Sequence, residues 1–158
     1  MTKPNVIFIV SLLLLAPLAN AQQMQLVSRE EALSAYSRFS ENPIENLDLA
    51  PTFLKFIQTD GEAHIVLDEK LTPWMYDSHA PEIRAVLFAA YMGSNMNAQL
   101  TGISDGDDAV QGIHGVLDAY QVLKTKHKEL EIPMLEDLAE QREQGSLSAA
   151  IKTLQTRQ

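Results

Sequence analysis

The 158-residue chain has a formal charge of −9, contains no cysteine and is 46% hydrophobic. A chain of this sign gains no counterion-release affinity for phosphate backbones, which argues against nucleic acid as a partner. Without cysteine, thiolate catalysis, zinc–thiolate sites, iron–sulfur clusters and disulfides are all excluded, and a hydrophobic core must hold the fold alone.

The first residues read as an address. Lys3 gives a positive start, Val6 to Leu15 is an apolar run, Pro17 breaks it, and Ala19-Asn20-Ala21 supplies small residues at the two positions a signal peptidase reads. The expectation is a secretory signal peptide over residues 1–21, cleaved before Gln22 and leaving residues 22–158 as one domain exported to the periplasm or exterior of a bacterium. An uncleaved anchor is the alternative, though the apolar run is short for a span. After cleavage no membrane span is expected, and with no cysteine at the site no lipid anchor either.

Ser28-Arg29-Glu30-Glu31 has the spacing of a capping box, and Leu33, Tyr36 and Phe39 form a helical stripe up to Asn42-Pro43, predicting a first helix over about 29–41. A second helix is expected to start between Asp48 and Pro51, to bury Leu49, Phe53, Phe56 and Ile57, and to stop at Asp60-Gly61. Residues 62–71 are ambiguous: His64-Ile65-Val66-Leu67 suits a strand, but no second segment offers it a partner. The spacing of Ala63, Val66, Leu67 and Lys70 favours a short helix ended by Thr72-Pro73. Trp74-Met75-Tyr76 is expected to lay its aromatic bodies against the core, with an exposed recognition patch as the sharper alternative.

The run from Ile83 to Met92 is apolar on every side except at Arg84, so it must be wrapped by other elements. It predicts a buried central helix over about 83–99, capped by Asp77-Ser78, with Ala85, Ala89 and Gly93 as a line of small residues for a close neighbour. Gly93-Ser94 is a possible kink. A long fourth helix is expected over about 107–129, with Val110, Ile113, Leu117, Tyr120 and Leu123 inward and Gly112, Gly115 and Ala119 as a second small-residue seam. Pro133 should open a fifth helix closed by Gly145, and Ser146 a sixth. The fold class is therefore all-α: one domain of five or six helices, neighbours antiparallel, packed like a bundle around the central helix.

Chemistry-bearing patterns are sparse. The chain has no Gly-rich phosphate loop after a strand, no H-E-x-x-H and no G-x-S-x-G, and its four histidines are scattered. Asp105, Asp107 and Asp108 fail the EF-hand pattern, since Val110 stands where it needs glycine and Val116 where it needs glutamate. The acids serve better as cap and dipole partners of the fourth helix, as Lys124, Lys126 and Lys128 do in water at its other end. No cofactor and no metal site is therefore expected. The candidate binding residues are Asn95, Asn97, His114 and Asp118: amides that follow the buried run, and a His–Asp pair one turn apart that could line a shared polar pocket. Exposed or mutually satisfied side chains are the plainer reading of the same four. Three functions stay open: an interaction factor that binds another protein (inhibitor, immunity-type or chaperone-like), a carrier of a small apolar or amphipathic ligand, and a helical hydrolase or lyase built on His114 and Asp118. The first leads, because no catalytic or cofactor pattern is present.

Overall fold

The computed structural model describes residues 26–77 and 79–156. The segment expected to be a signal peptide lies outside them, as does Ser78. The described residues form six α-helices and no strand: α1 (Arg29–Glu41), α2 (Ala50–Thr59), α3 (Pro81–Leu100), α4 (Ala109–Lys126), α5 (Pro133–Glu143) and α6 (Leu147–Thr156), with short 3-10 turns at Leu47–Leu49 and Pro73–Met75. This is one helical, bundle-like domain, and none of its helices is long and apolar enough to cross a membrane.

Local chemistry sets the helix ends. At α1 the Glu31 amide donates to Ser28 Oγ (3.2 Å) and the Ser28 amide to Glu31 Oε2 (2.8 Å), closing the capping box. These bonds hold the Glu31 carboxyl below its ordinary pKa. At α4 the Asp108 carboxylate accepts from the amides of Val110 (3.0 Å) and Gln111 (3.2 Å), so the helix starts at Ala109, later than expected. Asp77 is not the N-cap of α3, and Ser78, the other half of the expected cap, lies outside the described residues. The N-cap of α3 is Ala80, without a side-chain bond, and Pro81 at the first helical position needs no N–H partner.

The central helix is buried as its composition demands. Val86, Leu87, Tyr91, Asn95 and Met96 are sealed from solvent, and α3 runs unbroken through Gly93-Ser94. Its most extensive neighbour is α4. Glycines let the two backbones meet: a Cβ at Gly112 would lie 2.6 Å from Tyr91 Cε2, and one at Gly115 would lie 2.7 Å from the Ala90 carbonyl oxygen. On the other side, α1 and α2 close over α3 through stacked aromatics, Tyr36 edge-on to Phe53 at 5.7 Å and Phe39 to Phe53 at 5.5 Å. The Tyr36 ring lies against Gly93. Ala85, expected on this seam, is exposed.

Two further expectations are corrected. Trp74 is fully buried, but Tyr76 is 72% exposed, so the connector turns its two aromatics to opposite environments. Lys124 and Lys126 do not simply stay in water. Each reaches another element, Lys124 to Glu136 on α5 (2.5 Å) and Lys126 to Glu82 on α3 (3.3 Å). Tyr120 completes the first pair: its hydroxyl donates to Glu136 Oε1 (2.6 Å) and accepts from the Ile132 amide (3.0 Å), which pins the entry of α5 onto α4. The bonds from Lys124 and Tyr120 lower the Glu136 pKa, while burial, with the bond to Glu136, raises that of Tyr120 to about 12.

Candidate interaction face

The largest departure from expectation lies at residues 62–71, which form neither helix nor strand. They run as an irregular strap along α3, His64 beside Gln99, Val66 beside Tyr91, and Met75 beside Arg84 near the start of the helix. The bonding alternates. The His64 amide donates to Gln99 Oε1 (3.0 Å) and its carbonyl accepts from Gln99 Nε2 (3.0 Å). The Val66 amide donates to Asp107 Oδ1 (3.1 Å) and its carbonyl accepts from the Tyr91 hydroxyl (3.2 Å). A helix here would surrender these four bonds. Side chains of α3 and of the α3–α4 connection take the place of a partner strand, which is how an isolated extended segment satisfies its backbone.

Asn95 is the centre of this clip. It is fully buried, donates from Nδ2 to Asp107 Oδ1 (2.8 Å), and accepts at Oδ1 from Gln99 Nε2 (2.8 Å) and the Asp108 amide (3.2 Å). One amide therefore orients two of the three side chains that hold the strap and the residue that caps α4. Burial of the Tyr91 hydroxyl, with the charges of Asp107, Asp68 and Asp108 around it, pushes the Tyr91 pKa upward, so it stays a donor to Val66.

The four candidate residues do not converge on one pocket. Asn95 is spent on the clip. Asn97 is half-buried, and its backbone carbonyl accepts from the Thr101 hydroxyl (2.7 Å). His114 is half-buried on α4, but Asp118 turns away from it: its side chain is 72% exposed and its Oδ1 receives Arg142 Nη1 of α5 at 2.6 Å. A nearby guanidinium from another helix outcompetes an imidazole one turn away, since it brings a permanent charge and a fixed fork of donors. Among the described residues no group of three or more His, Asp or Glu is arranged to hold a metal ion.

The surface hollows are grooves open to solvent. One of about 1020 Å3 lies between α1 and α2 and mixes apolar residues such as Leu26, Val27 and Leu49 with polar ones such as Glu30, Arg38 and Lys55. Another, of about 540 Å3, lies between α5 and α6 on an apolar floor of Met134, Leu138, Ala150 and Leu154.

What stands out is where large apolar side chains meet water. Apart from Leu26, those exposed among the described residues are Val66, Leu67, Tyr76 and Ile103. They sit on the strap, the connector after it and the α3–α4 connection, and the first and last of these segments are joined by the Val66–Asp107 bond. Sequence reading marked Asn95 and the acidic cluster but not the strap they hold. The available signal was the Tyr91 hydroxyl and two amides on a helix otherwise built for burial, polar groups that require partners. Comparison with known families, with curated proteins and with solved structures finds no match to this chain.

Proposed function

We propose that this chain is an exported, non-enzymatic protein-interaction factor that engages its partner through the face formed by the strap and the α3–α4 connection. The observation that carries this reading is that Val66 and Leu67 on the strap and Ile103 on the α3–α4 connection, segments clipped together by the Val66–Asp107 bond, are exposed, while the helices keep their large apolar side chains covered or partly covered. Apolar side chains held in water by a fixed backbone cost free energy in the isolated domain and recover it when a partner covers them. Export is inferred from the signal-peptide pattern of residues 1–21. The enzyme reading draws no support from the geometry, because His114 lacks the carboxylate that would orient it. A carrier of a small amphipathic ligand would use the α5–α6 groove, whose apolar floor and polar rim suit such a molecule.

The test is site-resolved photo-cross-linking in the exported fraction of the native host. A photoreactive residue at position 67 is expected to give one discrete protein adduct, and the same residue at position 114 none. A protein adduct at 114 with none at 67 would overturn the assignment of the face.

A further inference from the structure

The outer edge of the strap is unpaired. His64 and Val66 direct their amides and carbonyls to α3 and the α3–α4 connection. In an extended chain the residues between them direct theirs the opposite way. Among the described residues the backbone amides and carbonyls of Ile65 and Leu67 have no hydrogen-bond partner. Val66 is 50% exposed and Leu67 43% exposed, so this edge carries apolar side chains that a docking chain could cover. The edge ends at Asp68, whose carboxylate accepts from the Lys70 amide (2.9 Å) and turns the chain.

We propose that the strap is a β-addition site: an extended, basic peptide of the partner pairs with the outer edge at Ile65 and Leu67. The inference rests on the interaction reading above and specifies its partner. Main-chain bonds to an open edge supply affinity, and alternate side chains supply selectivity. Charge decides the occupant. Asp68 and Glu69 flank the edge at one end of the strap, Glu62 at the other is already paired with Arg29 (3.2 Å), Asp105 is exposed on the neighbouring connection, and the whole chain stands at −9. A second copy fits poorly, because antiparallel self-pairing centred on Ile65 sets Glu62 opposite Asp68 and parallel self-pairing sets each acid beside itself, both repulsive. A peptide with lysine or arginine at its ends meets the same acids with the opposite sign.

The experiment titrates the folded domain with a short synthetic peptide of alternating valine and threonine bearing a lysine at each end, followed by amide NMR and hydrogen exchange. The expected result is saturable binding with new protection at the Ile65 and Leu67 amides, at least tenfold weaker for the same peptide with glutamate ends. Leu67→Pro removes an edge donor that no intramolecular bond uses and should weaken binding about tenfold or more. A peptide N-methylated along the docking edge should lose binding to the unaltered protein, which gives the same answer without a change in the domain. No binding, protection confined to other amides, equal affinity for the glutamate-ended peptide, or dimerisation through the strap would each overturn the proposal. A protein adduct from position 67 alongside peptide failure would remove β-addition and leave the interaction reading in place.

Discussion

Replacing Asn95 by leucine is the most informative perturbation of this fold, because the two side chains branch alike at Cγ and the change removes every polar atom of the side chain while adding some bulk. Asn95 makes three hydrogen bonds from a fully buried position, one of them to the Asp107 carboxylate. The charge-assisted bond is worth about 2 kcal/mol and the two neutral ones about 1 kcal/mol each. Asp107 is exposed and Gln99 half-buried, so both can turn to water, whereas the Asp108 amide loses its partner beside the new methyl groups. The net cost is about 3 kcal/mol, which for a domain of this size lowers Tm by about 10 °C. Denaturant unfolding of Asn95→Leu should show that loss, and amide exchange should show His64 and Val66 exchanging far faster while the centre of α1 keeps its protection. A loss under about 1 kcal/mol with the strap amides still protected would refute the view that Asn95 holds the strap.

Other outcomes can be checked by the same methods. Gly115→Ala sets a methyl against the Ala90 carbonyl, which cannot move without shifting α3, and should cost about 2 kcal/mol or more in chemical unfolding. Asp108→Ala removes the cap from two amides and should cost about 1 kcal/mol, with fraying limited to the first turn of α4 by NMR. His114→Ala should change stability by about 1 kcal/mol or less, since the half-buried ring makes no hydrogen bond among the described residues; a much larger loss in urea unfolding would show that this face is misread. In acid, Glu31 and Glu136 titrate below their ordinary value in the folded state, so their contribution is full at neutral pH and disappears as pH falls through and below about 4.5. In alkali the sign reverses: Tyr120 is raised from 10.0 to about 12, so its contribution is full below pH 10 and is lost as pH rises through 12, which thermal melts across that range would detect.

Elements whose determinants are local were legible in the sequence. Ser28 and Glu31 stand three residues apart and fix the start of α1 by themselves, and the apolar run from Ile83 to Met92 required burial whatever surrounded it. The strap was not legible. The side chains that hold it, Tyr91, Gln99 and Asp107, lie 25, 35 and 41 residues along the chain, and its apolar spacing imitates a helix. Ala63 is buried while Val66 and Leu67 are not, a pattern set by where α3 lies and not by any period. The same holds for Asp118: spacing offered His114 as a partner, and the fold supplied Arg142 instead. Periodicity shows which residues could share a face, whereas tertiary contacts decide which of them meet.

Native mass spectrometry of the protein recovered gently from its own host tests the proposed interaction. A stoichiometric protein adduct that Leu67→Pro weakens is expected. A bare monomer, or an adduct of a few hundred daltons unaffected by that change, would contradict it.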